Sequence, residues 1–199
     1  MEWSRRQGRI AAAAALGIVA VLAFARLNAF GIWDPWELSV ADLARQLAAG
    51  EAGALDRPPL TVWLIAQGFT LFGIHEWSGR LPMAMSGLGA VALCFWLVAR
   101  FAGRRAGTWA ALVAGSSPLF LFNARQMLGA APGFLTSAAV FLCAMSAVFL
   151  PAQPAADEKR RRLALGLWLA GLAVSVVLAA MTSGVLLGVA PPLLAAGVA

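Results

Sequence analysis

Two carboxylates and two aromatic side chains stand together in the segment Trp33-Asp34-Pro35-Trp36-Glu37. Carboxylates in such a segment can act as general bases that take a proton from a hydroxyl group, or can bind a metal ion that handles a phosphate. The structural alternative is that Asp34 caps a helix and Glu37 lies in its first turn, where negative charge is favourable. The segment therefore supplies two candidate catalytic residues, Asp34 and Glu37.

A second polar group, Asp56-Arg57-Pro58-Pro59, follows in the same stretch of the chain. The planar guanidinium of Arg57 suits bidentate contact with a phosphate. The alternative is a helix start, for which the prolines are well suited, with a surface ion pair beside it.

Three further side chains complete the set of candidate binding residues. Arg125, within Asn123-Ala124-Arg125-Gln126, either anchors a helix end at the membrane surface or binds an anionic headgroup. His75 and Arg80, with Glu76 between them, precede an apolar run and are expected to line the same chamber. His75 has no cysteine or second histidine at zinc-ligand spacing.

These residues must be positioned by membrane helices, because 61 % of the chain is hydrophobic, only 12 % is charged and the mean hydropathy is +0.81. Soluble domains run near half apolar and a quarter charged. The fold class is therefore an all-α integral membrane protein, a multi-span helical bundle. Apolar runs long enough to span a bilayer predict one module, residues 1–199, with spans at about 10–30, 81–99, 106–124, 131–150, 163–182 and 184–199. The last run stops at Ala199 without a closing charge, so we expect the chain to be truncated.

Basic residues decide how these spans are oriented. If residues 58–74 form an interfacial or re-entrant helix, ten basic residues lie inside and five outside; if they span, the numbers are reversed. The first arrangement is favoured. It predicts a multi-pass protein of the bacterial cytoplasmic membrane, with a cytoplasmic N-terminus and a periplasmic loop 31–79 that carries two interfacial helices. The first of these helices is expected to turn an apolar face to the bilayer, formed by Leu38, Ala41, Leu43 and Leu47. The net charge of +6 lies in short clusters between apolar runs, so nucleic acid is not expected as a partner.

Three segments in a fixed order resemble the N-terminal half of GT-C membrane glycosyltransferases. They are WDPWELSVADLARQL, DRPPLTVWLIAQGFTLFGIHEWSGRLPMAMSGLGAV and AGTWAALVAGSSPLFLFNARQMLGAAPGFL. The most similar members are the protein O-mannosyltransferases and the lipid A aminoarabinose transferases, and the similarity covers about residues 10–195. The resemblance implies a GT-C bundle that transfers a sugar from a polyprenyl-phosphate donor to a lipid, glycan or protein acceptor on the outer face of the membrane. Membrane lipid is the other partner implied.

The resemblance also implies roles for individual residues. Glu37 matches the acid of a usual Asp-Glu pair, Trp36 stands where the Asp would be, and Asp34 is its candidate substitute. Asp56 matches an acid that helps to bind a metal or the acceptor, and Arg57 matches the basic residue that faces the lipid phosphate. Basic residues near the same chamber are matched by Arg80 and Arg125.

The sequence also departs from the family pattern. An Asp expected five residues after Arg125 is Ala130, and a Lys within a turn is replaced in Thr182-Ser183-Gly184. The chain contains no Tyr, although the family often has one near the loop acids. Two alternatives therefore stay open: an inactive or partner-dependent GT-C-like subunit, and a small-molecule transporter.

Overall fold

The computed structural model describes residues 4–29, 31–32, 35–51, 53–149 and 158–198. Every regular element in these residues is a helix, so the predicted all-helical membrane fold is confirmed. The elements are α1 (Arg5–Phe24), α2 (Trp36–Ala49), α3 (Pro59–Phe72), α4 (Glu76–Ser116), α5 (Pro118–Ala124), α6 (Ala130–Val148), α7 (Glu158–Gly184), a π-helical segment (Val185–Val189) and α8 (Ala190–Val198).

Local sequence explains where the first helices begin. Ser4 caps α1, since its hydroxyl accepts from the Gln7 amide at 3.2 Å while the Gln7 side chain accepts from the Ser4 amide at 2.9 Å. Glu37 lies in the first turn of α2, where its charge favours the positive end of the helix. Pro59 is the first residue of α3. A backbone amide at this position has no partner within the helix, so proline loses no hydrogen bond there.

Four continuous helical stretches in the described residues are long and apolar enough to cross a membrane, and two of them have 41 and 40 residues. Each long stretch breaks at a glycine in a conformation that other residues avoid: Gly103 (φ 86°, ψ 162°) and Gly184 (φ 75°, ψ 168°). After Gly103 the chain turns back, because Gly107 lies against the Phe95 carbonyl and Ala99. The first long stretch is therefore a helical hairpin.

The second long stretch also turns back on itself. Gly188 lies against the carbonyl of Ala179, nine positions earlier in the sequence, which a straight helix would not allow. The predicted span 106–124 is divided as well, at Ser117, where α4 ends and the short α5 begins.

The two ends of the bundle differ in charge. One end carries the start of α1, the turn at Gly103 and the start of α7, since Gly8 packs against Arg104 and the Arg100 guanidinium lies 5.4 Å from the Trp168 ring centre. Most arginines of the chain are gathered there. The opposite end carries α2, α3, the start of α4 and the connection between α5 and α6, and the candidate site lies at that end.

The helices α2 and α3 pack together on α4 and form the support of the site. Their shared core is a cluster of buried apolar residues, completed by Met83 and Met127: Val40, Ala41, Ala44, Val62, Ile65, Ala66 and Phe69. This corrects one expectation about α2. An amphipathic interfacial helix would turn Ala41 to lipid, yet Ala41 is buried against protein.

Candidate functional site

A buried ion pair between Glu37 and Arg80 lies at the centre of the site. Arg80 Nε donates to Glu37 Oε1 at 2.8 Å, and a terminal nitrogen of Arg80 donates to Glu37 Oε2 at 2.7 Å. Glu37 is fully buried and Arg80 is 3 % exposed. This is the bidentate geometry in which a guanidinium and a carboxylate bind most strongly.

The pair also joins three segments that are distant in sequence. Arg80 donates to the backbone oxygens of Leu27 and Gly31, both at 2.9 Å, and so holds the connection between α1 and α2. The backbone amide of Met127 donates to Glu37 Oε1 at 3.0 Å. The predicted site residues Glu37 and Arg80 are therefore brought together, over 43 positions of sequence.

This geometry bears directly on the expectation that Glu37 is a general base. Both of its oxygens accept hydrogen bonds, and no solvent-exposed surface remains on which an acceptor hydroxyl could approach. A base must reach the proton that it removes. In this conformation Glu37 instead positions Arg80 and the backbone around it, a role that the sequence pattern did not separate from catalysis.

A cavity of about 430 Å³ lies beside the ion pair, and we call it the arginine cavity. Three guanidinium groups line it together with apolar side chains and one amide: Arg26, Leu27, Arg80, Pro118, Leu121, Phe122, Arg125 and Gln126. Glu37 neutralises Arg80, whereas no carboxylate in the described part of the chain pairs with the other two arginines. Positive charge above apolar walls suits an anionic headgroup with a lipid tail.

Backbone geometry fixes the two remaining arginines at this cavity. Arg125 donates to the Ala25 carbonyl at 2.6 Å and to the Leu22 carbonyl at 3.3 Å, so it caps the C-terminal end of α1. Arg26 follows that end with φ 52°, a left-handed conformation that is costly for arginine. Arg125 therefore holds the end of α1 and lines a cationic cavity, and the binding of an anionic headgroup stays a prediction.

Gln126 lines the same cavity and carries an unsatisfied hydrogen-bond acceptor. Its side-chain oxygen is buried and has no hydrogen-bond partner among the described residues. A buried oxygen left in this state costs stability. Neither Gln126 nor Arg26 was predicted as a site residue. The sequence signal for Arg26 was its position as a single charged residue near the end of the predicted span 10–30. An arginine that extends its side chain to the membrane surface gives the same pattern.

A second cavity, of about 410 Å³, lies on the other side of residues 27–28 and 126–127. We call it the aromatic cavity. His75 and Glu76 both line it, together with Trp77, Phe69, Met127, Asn28, Ile32 and Ile74. The structure thus places His75 in a different cavity from Arg80 and Arg125, although one chamber was expected for all of them.

Asp56 and Arg57 lie apart from both cavities and pair with each other. Arg57 Nε donates to Asp56 Oδ1 at 3.0 Å. The hydrogen bond from Arg57, followed by its charge, holds the pKa of the Asp56 carboxyl below its ordinary value. This geometry is the surface ion pair that sequence reasoning kept as the alternative to a phosphate contact.

A metal centre at Asp56 would need further ligands. Among the described residues no three side chains of His, Cys, Asp or Glu come together in a way that could hold an ion. Carboxylate, amide and backbone oxygens in a larger set are what hard cations require. The donor set therefore does not fit a metal at Asp56, and no step proposed below passes through one.

The predicted catalytic residue Asp34 lies outside the described residues. Two departures from the family pattern, Ala130 and the turn Thr182-Ser183-Gly184, lie near the site. Ala130 is the first residue of α6, directly after Gly129, which packs against Thr61 of α3. Thr182 shares a 2.8 Å hydroxyl contact with Thr136 of α6, so the Thr182-Ser183-Gly184 turn also lies at this end of the bundle.

Comparison with known proteins gives a consistent result. The family model for dolichyl-phosphate-mannose-protein mannosyltransferases matches residues 56–194. YkcB of Bacillus subtilis (strain 168), named a putative mannosyltransferase, is 29 % identical over 122 residues, which are 54 % of this chain and 17 % of YkcB. An uncharacterized protein of Aquifex aeolicus (strain VF5) is 30 % identical over 117 residues, or 54 % of this chain and 23 % of that protein.

Solved structures share the fold. The apo crystal structure of ArnT from Cupriavidus metallidurans superposes with a TM-score of 0.71 at 24 % identity, covering 98 % of this chain and 36 % of ArnT. The structure of the same protein bound to undecaprenyl phosphate gives 0.69 at 22 % identity, covering 88 % of this chain and 32 % of ArnT. The predicted GT-C-type bundle is confirmed, and the chain spans a minor part of the length of each of these proteins.

Proposed function

The chain belongs to the dolichyl-phosphate-mannose-protein mannosyltransferase family, and from this premise we propose that it takes part in sugar transfer from a polyprenyl-phosphate donor. The acceptor is a lipid, glycan or protein at the outer face of the cytoplasmic membrane. The arginine cavity is the observation that carries the proposal. The ArnT structure with undecaprenyl phosphate supports it, because that protein shares the fold and binds this class of lipid.

In this proposal the lipid phosphate lies in the arginine cavity, against Arg26 and Arg125. Its isoprenoid tail leaves over the apolar walls formed by Pro118, Leu121 and Phe122. Guanidinium groups in an environment of low dielectric attract a phosphate more strongly than they do in water.

The reaction itself is an attack by an acceptor hydroxyl on the anomeric carbon. The new glycosidic bond forms as the bond from that carbon to the phosphate oxygen breaks, and the electron pair stays on the leaving phosphate. Arg26 and Arg125 stabilise the charge that develops there, which is the main electrostatic demand of the step. The proton of the acceptor passes to a carboxylate.

Two carboxylates are candidates for that base, since Glu37 is saturated by Arg80. One is Asp34, supported by its place in the Trp33–Glu37 segment. The other is Glu76, which is half-buried in the aromatic cavity and has no partner among the described residues. Glu37 then acts as a positioning residue that keeps Arg80 neutralised and fixes the wall between the two cavities.

Binding of undecaprenyl phosphate to the chain in nanodiscs tests the lipid-phosphate site. Arg26→Asn removes the charge while asparagine tolerates the left-handed backbone. We expect it to weaken binding about ten-fold, as for the loss of one charged hydrogen bond. The matched control is Arg9→Asn, an exposed arginine at the opposite end of the bundle. Equal affinity of the two variants, or no saturable binding to the unmodified chain, would contradict the proposal.

Transfer is tested separately, in membranes that contain the protein, with a radiolabelled polyprenyl-phosphate mannose. Asp34→Asn and Glu76→Gln are compared one by one. The variant that lacks the base is expected to lose about 100-fold or more in rate while still binding undecaprenyl phosphate. Binding of the lipid without any transfer by the unmodified protein would favour the inactive or partner-dependent alternative.

A further inference from the structure

The aromatic cavity is built from two connections that meet at the site end of the bundle. Asn28 and Ile32 come from the connection between α1 and α2, and Ile74, His75, Glu76 and Trp77 come from the junction of α3 and α4. Phe69 and Met127 are buried and close its floor. Its volume of about 410 Å³ lies in the usual range for sites that hold small molecules.

Trp77 presents an oriented aromatic surface to this cavity. Its ring lies parallel to the His75 ring, with an interplanar angle of 10° and centroids 6.3 Å apart. The Phe72 ring contacts it at 5.6 Å with a tilt of 48°. Trp77 nevertheless keeps 37 % of its surface exposed. A fixed and partly open ring of this kind is a platform for an apolar face of a ligand.

The junction that carries Trp77 is held by hydrogen bonds between the Ser78 side chain and the backbone. The Ser78 hydroxyl is fully buried and donates to the Gly73 carbonyl at 2.6 Å. The His75 amide donates to the same hydroxyl at 3.2 Å. The backbone that carries positions 75–77 is therefore fixed before a ligand arrives, which lowers the entropic cost of binding.

The polar groups around the platform differ from those of the arginine cavity. Glu76 provides a carboxylate, Asn28 an amide and His75 an imidazole, and among the described residues no arginine or lysine lines this cavity. The arginine cavity, on the other side of residues 27–28 and 126–127, is cationic. This contrast disfavours a phosphate in the aromatic cavity and favours a ligand with hydroxyl or amine donors, which a carboxylate binds well.

We propose that the aromatic cavity is a saccharide-binding subsite. A pyranose ring would stack its carbon–hydrogen face on Trp77. Its hydroxyl groups would donate hydrogen bonds to the Glu76 carboxylate and to the side-chain amide oxygen of Asn28. The site takes a neutral or an amino sugar and excludes an acidic one. The inference rests on the proposed function, because it places a sugar of donor or acceptor next to the lipid-phosphate site of the same reaction.

The alternative explanation for exposed aromatic rings at this level is membrane anchoring, in which tryptophan lies among lipid headgroups. Trp63 of α3 is 48 % exposed and does not line the cavity, so it fits that explanation and serves as a matched control. A lipid-facing anchor gains nothing from a neighbouring carboxylate, whereas a saccharide site does.

The test is binding of methyl α-D-mannopyranoside, methyl α-D-glucopyranoside and D-glucosamine to the full chain in nanodiscs, measured by ligand-observed NMR titration. Trp77→Ala is expected to weaken binding of the preferred sugar about five-fold to ten-fold, and Trp77→Phe to retain most of it. Glu76→Gln is expected to weaken it as well, most strongly for the amino sugar. The controls Trp63→Ala and Glu51→Gln, both outside the cavity, should leave affinity unchanged.

Two results would overturn the subsite. One is the absence of saturable binding of any of the three sugars. The other is an equal effect of Trp77→Ala and Trp63→Ala, which would indicate that tryptophan acts through membrane insertion. Undecaprenyl phosphate binding is measured on the same samples. If the lipid binds and no sugar does, only the subsite fails; if a sugar binds and the lipid does not, only the lipid-phosphate function fails.

Discussion

Glu37 shows how one residue can be recognised from sequence while its task is not. Its position directly after the first span, next to aromatic residues, indicated a functional carboxylate. The partner that decides its chemistry, Arg80, lies 43 positions away. Nothing local in the sequence distinguishes a carboxylate that is open to a substrate from one that is closed by a guanidinium, because that depends on how α2 packs against α4.

The structure predicts that Glu37→Gln destabilises the protein. The substitution leaves the buried Arg80 charge without its carboxylate, which typically costs about 3–5 kcal/mol. The free energy of unfolding can be measured by SDS titration with tryptophan fluorescence. Asp42→Asn is the control, since Asp42 and Arg45 form an ion pair whose side chains are both 47 % exposed, and such pairs contribute about 1 kcal/mol or less.

Substitution of both Glu37 and Arg80 distinguishes a loss of stability from a loss of catalysis. Glu37→Gln combined with Arg80→Gln is expected to lose less stability than the sum of the two single losses, because no unpaired charge remains buried. A Glu37→Gln protein that unfolds like the unmodified one, yet has lost transfer, would contradict the positioning role and restore Glu37 as the base.

At the scale of the elements, sequence reasoning found the apolar stretches but not how the chain turns between them. The gap between the predicted spans 81–99 and 106–124 contains Gly103, where α4 folds back. The two predicted spans required the chain to turn between them, but hydropathy contains no information on backbone dihedral angles, so the glycine at which it turns was not predicted. The apolar face of α2 was misassigned to lipid for a related reason: lipid and the side chains of α3 are equally apolar, and periodicity cannot tell them apart.

Gly103→Ala is expected to destabilise the α4 hairpin. The backbone angles of Gly103 lie in a region that is almost restricted to glycine, and a side chain there costs about 1–3 kcal/mol. Gly17→Ala is the matched control, because Gly17 is exposed within α1 and an added methyl group meets nothing within 4 Å. We expect that control to be neutral or to stabilise the helix by about 1 kcal/mol or less. Equal stability of the two variants in SDS titration would show that the turn does not require glycine.

At the scale of the whole molecule, the two ends of the bundle are separated by about the thickness of a bilayer core. Helix α1 has 20 residues, which at 1.5 Å per residue give about 30 Å, the thickness of the hydrocarbon region. The cluster of arginines around Gly103 and the starts of α1 and α7 lies at one end. The three arginines that line the arginine cavity lie at the opposite end. Arg80 is paired with the Glu37 carboxylate, Arg26 is exposed, and Arg125 donates hydrogen bonds to backbone oxygens.

This separation predicts the orientation of the protein in its membrane. The arginine-rich end should face the cytoplasm, because cytoplasmic segments near membrane helices carry an excess of Lys and Arg. The site end should then face outward, where a sugar stays in water while its lipid tail stays in the membrane. Single cysteines can report this after the two native ones are removed by Cys94→Ala and Cys143→Ala.

Ile74→Cys marks the site end and Ala102→Cys marks the turn beside Gly103, and both positions are exposed. In intact cells a membrane-impermeant maleimide is expected to label Ile74→Cys fully and to label Ala102→Cys only after lysis. The reverse pattern would place the site on the cytoplasmic side and remove the physical basis for the proposed outer-face reaction. Labelling of both positions in intact cells would show that no bilayer separates the two ends, and the assignment of α1 as a span would then be wrong.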